Sequence, residues 1–474
     1  MRILPPVTPT AEQLTILLES RPGVFVVNGA AGSGKTTTAL LRLSSLCGQW
    51  LSRKLRHRLH GPVRVLVLTY NKTLEGYIDE LARAQVAGND TLATAVADGH
   101  LDLTVSTFGK WSLGLLPPGS SPNADEARVL LTRFAAGFGL PERFVTDEVE
   151  YVLGRFPAGE LESYLTCVRE GRGVSPRMDM ATRRRLLDEV IYPYLAEKEL
   201  RNLRDWNDVT AEAGEVEDGV WDIVIVDEAQ DFAANQIRTL MTHVSDPHSV
   251  TFVMDAAQRI YPRSFTWKEV GIVIAASRKL ERNYRNTKEI AAFARSILDG
   301  MTVGDDGTLP DFAHATATGP KPRLLVGKYS AQLAWTLQHV VATANLREES
   351  VAFLHPLGGG WFNYLKAGLD IAGIPYVQLS RASSWPGGDE TVALSTIHSA
   401  KGLEFDHVII LGLNQQVTPH GEGEGDAQLE TLRRLLAMGI GRARKTVSLG
   451  FKTGEESNLV ALLNPETFDR IELR

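Results

Sequence analysis

Short, continuous apolar runs punctuate the first half of the chain, at residues 25–27, 63–68, 223–226 and 250–254. A second series follows at 323–326, 351–354, 376–379, 392–397, 408–411 and 446–449. Runs that stay apolar on successive residues mark strands buried on both faces, as in a parallel sheet covered by helices. Helical periodicity over 288–298 and 331–342 separates several of the later runs. The pattern predicts an α/β chain with two parallel-sheet domains. Between about Ser112 and Ala211 it changes to charged helical periodicity, clearest over 126–138 and 182–196. A helical insertion is therefore expected at 112–211, interrupting a first domain built from 1–111 and 212–278. The second domain is expected to occupy 279–474.

Composition narrows the class. At 474 residues the chain has room for roughly three domains, and 43% apolar residues suffice for their cores. The net charge of −7 argues against wholesale coating of a polyanion, so any nucleic-acid contact must come from a local groove. Cys47 and Cys167 are far apart and lack metal-ligand spacing, so neither a disulfide framework nor a zinc site is expected. No apolar run approaches about 18 residues and the N-terminus has no signal-type apolar core, which predicts a cytoplasmic protein without membrane contact. The basic run at 53–58 reads as a solvated helix end, and the acidic run at 421–426 as a loop.

The first chemical signal is Gly29-Ala30-Ala31-Gly32-Ser33-Gly34-Lys35-Thr36, a complete GxxxxGK[ST] loop between an apolar run and a helix start at Thr37. Glycines let successive N–H groups turn toward phosphates, and the helix N-terminus adds its positive end. Lys35 suits the β- and γ-phosphates, and the Thr36 hydroxyl suits Mg²⁺. ATP with Mg²⁺ is the expected ligand. The second signal is Asp227-Glu228-Ala229-Gln230-Asp231 at the end of a buried strand. Asp227 is expected to hold the metal and Glu228 to act as general base on the attacking water.

These two elements begin a longer series. Thr10-Ala11-Glu12-Gln13, Thr69-Tyr70-Asn71-Lys72 and Ser106-Thr107-Phe108 accompany them, followed by 255–261, 280–285, 396–405 and 433–444. In this order the chain resembles a superfamily 1 helicase of the UvrD/Rep/PcrA type over nearly its whole length. The resemblance implies two RecA-like domains with parallel sheets flanking an ATP cleft. It implies Gln13 as adenine reader, Gln258 as γ-phosphate sensor, Arg285 and Arg442 as arginine fingers, Tyr284 stacked on adenine, Glu404 on the ribose, and Gly402 among the nucleotide-binding residues. Thr37 stands where the family often has an adenine-packing arginine. Grips on a single strand of DNA, RNA not being excluded, would be Thr69, Asn71, Thr107 and Lys110 from the first domain, with Thr396, His398 and Lys401 from the second. Phe108, Tyr261 and Trp267 are candidate base-stacking faces.

The resemblance further implies an ATP-driven translocase or helicase of 3′-to-5′ polarity. Large relatives insert a second accessory domain between the motifs carrying Arg285 and His398. The roughly 110 residues between these positions are consumed by strands and helices, leaving space for no more than a small hairpin. A motor subunit working with a partner nuclease or loading protein is therefore an alternative, and an ATP-sensing module another. Intact Lys35, Glu228, Arg285 and Arg442 argue against the latter.

Overall fold

The computed structural model describes the chain except residues 1–8, 30–31, 170–175, 218–219, 255–264, 281–284, 302–314, 316, 380–384, 387, 389, 421–425 and 474. Two all-parallel sheets organise it. The first contains β1 (Gly23–Gly29), β2 (Val63–Thr69), β3 (Leu101–Thr107), β4 (Trp221–Val226), β5 (Val244–Met254) and β6 (Ile274–Leu280) in the order β3-β2-β4-β5-β1-β6. The second contains β7 (Arg323–Val326), β8 (Val351–His355), β9 (Tyr376–Gln378), β10 (Val392–Thr396), β11 (Phe405–Ile410), β12 (Ala443–Phe451) and β13 (Asp469–Glu472) in the order β13-β7-β12-β11-β8-β10-β9. All six residues of β4 and of β11 are buried, including Asp222, Asp406 and His407 near their starts, while their remaining positions are apolar. The expected pair of α/β domains is present.

The first domain extends slightly further than 278. β6 pairs with β1 as far as Gly29 opposite Leu280, so the boundary lies inside that strand. Between β3 and β4 the described residues are helical, and they enclose a core of their own around Leu130, Val149, Tyr164, Leu187 and Tyr194. The last helix of this stretch, Trp206–Gly214, departs from that core. Thr239 donates to the Thr210 carbonyl at 2.9 Å and the His243 ring bonds the Ala213 carbonyl at 2.8 Å, holding this helix to the first domain. The helix expected at 182–196 is longer and re-phased: a π turn at Leu187–Ile191 joins Met180–Leu186 to Tyr192–Leu200. Pro193, which lacks an N–H, falls immediately after the π turn.

The helical unit is stapled by a buried charge. Glu148 is fully buried and receives two bonds from Arg169, at 2.7 and 2.8 Å, and one from the Tyr164 hydroxyl at 2.6 Å. Removing one member strands the others away from water. Glu148→Ala is expected to lower the stability of this unit by about 3–5 kcal/mol, read as a lower denaturant midpoint. The exposed Arg185–Glu189 pair serves as control, and Glu189→Ala should leave that midpoint in place.

Candidate active site

The phosphate loop follows directly from the first sheet. β1 ends at Gly29, and a helix begins at Lys35. Gly32 and Gly34 have left-handed backbones with φ of 80° and 75°. A Cβ on Gly29 would stand 2.6 Å from the Ser33 hydroxyl, so a side chain there would collapse the turn. The Ser33 hydroxyl is buried with no hydrogen-bond partner among the described residues. Gln13 sits beside this loop, its amide nitrogen 2.9 Å from where a Gly34 Cβ would be. A capping box fixes it: Gln13 accepts from the Thr10 N–H at 3.0 Å, and the Gln13 N–H donates to Thr10 at 3.3 Å. Ala30 and Ala31 lie outside the described residues.

β4 delivers the two acids. The Asp227 N–H is held by the Leu68 carbonyl at 2.8 Å, and the Thr36 hydroxyl donates to Asp227 Oδ2 at 2.9 Å. Glu228 adopts a left-handed conformation, φ 53° and ψ 41°, which costs a non-glycine residue on the order of 1–3 kcal/mol and is characteristic of functional positions. Burial, reinforced by the neighbouring Glu228 charge, pushes Asp227 up to about 7. Burial acts the same way on Glu228, but Lys401, Lys35 and Arg442 outweigh it and hold that carboxyl at about 2. Glu228 is thus ionised, while at Asp227 the Thr36 bond and the Lys35 charge do not offset burial. Thr36 and Asp227 form an oxygen-only pair of the kind Mg²⁺ prefers. No group of three or more His, Cys, Asp or Glu gathers among the described residues, so phosphate and water would complete its shell. The residues fit Mg²⁺.

The second domain closes the cleft. Arg285 and Arg442 both line it, with Gly402 and Glu404. Arg285 is paired with Glu404 and reaches toward the Gly441 carbonyl at 3.5 Å. Burial raises the Glu404 carboxyl, yet Arg285 wins and keeps it below the ordinary value. Arg442 is buried, its Nε donating to the Met438 carbonyl at 3.2 Å. Thr37 also lines the cleft, as do Tyr77 and Leu81. The motif reading passed over those last two. Their spacing of four on the Lys72–Ala87 helix places them on one face, the only sequence signal that could have found them. Gln258, Tyr261 and Tyr284 lie outside the described residues.

The strand-gripping set divides. Lys401 is a correction: it is buried, with Nζ 2.5 Å from Asp231 and 3.4 Å from Glu228, so it serves as an interdomain cation and not as a groove residue. Phe108 is another. It is buried against Trp111 and Phe232, at centroid distances of 5.5 and 6.0 Å, because its helix starts on the first domain's core. Trp267 packs on Phe252 at 4.9 Å and Phe265 at 5.3 Å, which commits much of its ring to the same core. Thr69 is buried, with its hydroxyl unpartnered among the described residues. Thr107 is a buried helix cap for the Lys110 N–H at 3.3 Å. Lys110 remains largely exposed while pairing with Glu75 at 2.9 Å. Asn71 spans the domains: its side-chain NH₂ donates to the His398 carbonyl at 3.2 Å, and its oxygen caps Thr73 at 2.9 Å. Thr396 donates to the Ser399 hydroxyl at 2.9 Å. His398 is held neutral, first by burial and then by Lys401 and Arg143.

Residues 374–452 match the UvrD-like helicase C-terminal domain. ATP-dependent DNA helicase UvrD2 of Mycobacterium tuberculosis is 24% identical over 562 aligned positions, covering 93% of this chain and 78% of that protein. ATP-dependent DNA helicase PcrA of Bacillus subtilis is 40% identical over 73 residues, 15% of this chain and 10% of that protein. ATP-dependent DNA helicase Rep of Buchnera aphidicola is 44% identical over 54 residues, 11% of this chain and 8% of that protein.

The Lys401 contacts give a direct test. Lys401→Ala leaves Asp231 and Glu228 facing each other without their cation and is expected to lower stability by about 3–5 kcal/mol. In a double-mutant cycle with Asp231→Asn the two effects should be strongly non-additive, read from denaturant midpoints. Additive effects would separate the two groups.

Proposed function

The chain is related to the UvrD-like helicases of superfamily 1, and on that premise we propose that it is an ATP-driven motor translocating 3′-to-5′ along single-stranded DNA. One observation carries this reading: a single cleft takes Lys35, Thr36 and Glu228 from the first sheet's domain and Arg285, Gly402 and Arg442 from the second. A ligand held by both domains couples its turnover to their relative position. Lys35 is placed to balance the β- and γ-phosphates. Glu228, ionised and buried, accepts the proton of the attacking water. Arg442 and Arg285 face charge that develops on the γ-phosphate, and guanidinium groups suit this because they remain charged and bind oxygens in pairs. Mg²⁺ bound at Thr36 and Asp227 would add neutralisation of phosphate charge.

Duplex separation asks for more than translocation, since something must hold or split the incoming double strand. Among the described residues, the segment between Arg285 and His398 holds strands β7 to β10 and the helices Lys288–Ser296, Tyr329–Thr336 and Asn363–Ile371. That arrangement favours a compact motor whose unwinding is weak or depends on a partner, such as a nuclease or loading protein.

ATPase rates with single-stranded DNA, RNA and duplex test the reading, and stimulation by single strands is the expected result. Indifference to all three would leave an ATP-sensing module. The stimulated rate should fall as salt rises, because the strand is held through phosphates. Lys35→Ala should lose nucleotide binding, whereas Glu228→Gln should bind ATP and turn it over about 10²–10⁴-fold more slowly. Equal loss of ATP affinity in both would show these roles to be misassigned.

Arg442→Ala should lower kcat about a thousandfold while weakening nucleotide binding far less, since its contact matters most as charge develops. Steady-state kinetics read the split. Normal turnover would remove Arg442 from the chemistry.

A further inference from the structure

Of the aromatic faces expected to stack bases, Phe108 is in the core and half-buried Trp267 packs on Phe252 and Phe265, while Tyr261 lies outside the described residues. A different ring is placed for that task. Trp361 follows β8 in the glycine-rich stretch Gly358-Gly359-Gly360, and it is 42% exposed. His355, the last residue of β8, is buried and stacks on its indole, with centroids 5.2 Å apart and planes 20° from parallel. The His355 ring is fixed in turn, because Nδ1 accepts from the N–H groups of Leu357 at 3.1 Å and Gly358 at 3.0 Å. The indole is therefore braced from behind and presented at a set angle.

Its surroundings fit a polynucleotide strand. His355 is paired in register with Thr396, the last residue of β10, so Trp361 lies at the carboxyl ends of the second sheet's strands. Ligands of open parallel sheets bind along that edge. A Gly358 Cβ would stand 2.5 Å from the Thr396 methyl, which ties the glycine turn to the Thr396–Ser399 loop. The same loop receives Asn71 from the first domain at the carbonyls of His398 and Ser399, 3.2 and 3.4 Å away. A strand following this seam touches both domains and passes Trp361. Gly359 has nothing within 4 Å of its would-be Cβ, so a phosphate can approach the backbone beside the ring.

We propose that Trp361, braced by His355, is a base-stacking platform for single-stranded nucleic acid on the second domain. The proposal rests on the motor reading and adds the place where one base is held. Stacking of this kind tolerates any base, in keeping with a motor that must move over all sequences.

The test compares Trp361→Ala and Trp361→Phe with the unaltered chain in binding labelled oligothymidylate of about 20 nucleotides and an abasic strand of equal length. Trp361→Ala should weaken oligothymidylate binding roughly tenfold and leave abasic binding as it was. Trp361→Phe should recover most of the loss. Unchanged oligothymidylate binding in Trp361→Ala would overturn the proposal and leave the ring, with exposed Leu357 and Tyr364, to a protein partner. Equal loss on both strands would overturn it too, since that assigns the effect to the turn. If the unaltered chain binds neither strand while retaining ATP, the nucleic-acid reading itself fails along with this inference.

Discussion

One cleft contains more buried charge than the first domain neutralises by itself. Asp227, Glu228 and Asp231 all follow β4, and all three are buried. The same stretch also places Glu228 in a left-handed conformation. Lys35 from their own domain contributes, and Lys401 of the second domain stands 3.4 Å from Glu228 and 2.5 Å from Asp231. That Glu228 remains ionised despite its burial depends on this borrowed charge, followed by Lys35 and Arg442. Desolvating three carboxylates without such partners would cost several kcal/mol each. The relative position of the two sheets is thereby coupled to the protonation and pairing of the catalytic acids.

The Lys72–Ala87 helix supplies the neutral part of that seam. Asn71 caps it and bonds the second domain, and Thr73 donates to the Leu379 carbonyl at 2.7 Å. Gly402 is left-handed, and a Cβ there would meet Leu74 at 2.6 Å, so glycine permits the closest approach of the two domains. One turn on, Tyr77 lies 4.8 Å from Trp385. Leu74, Tyr77, Ala400 and Leu403 belong to one apolar cluster continuous across both domains. A helix that begins at the interdomain residue Asn71 and lines the cleft through Tyr77 and Leu81 provides a short mechanical route between seam and cleft.

The sequence reveals interior strands well because being covered on both faces keeps most of their positions apolar. The strands it hides are β3, β6 and β13, each at the edge of its sheet. Leu101–Thr107 alternates, and Asp469–Glu472 is almost wholly polar, since one side of an edge strand faces solvent. The phosphate loop and the acids at 227 and 228 are equally legible, because their chemistry dictates both residue type and spacing. Legibility ends where a residue's role depends on which partner arrives across the cleft. Nothing in the local sequence of Lys401 distinguishes a phosphate grip from a carboxylate partner. Likewise Phe108 and Trp361 are both aromatic, and only packing turns one inward and leaves the other exposed.

Arg285 illustrates how such a site can move. It is held by Glu404, a carboxylate within its own domain, near the wall of the cleft. Under the motor reading, a γ-phosphate arriving on Lys35 offers this guanidinium a second anion, one fixed to the opposite domain. Exchanging an intradomain partner for an interdomain one would draw the sheets together, with Arg444 and Arg442 left to balance Glu404. Loss of the γ-phosphate returns the arginine to Glu404, and the exchange reverses. Under that reading, bistable ion pairing of Arg285 sets the two end positions of the stroke.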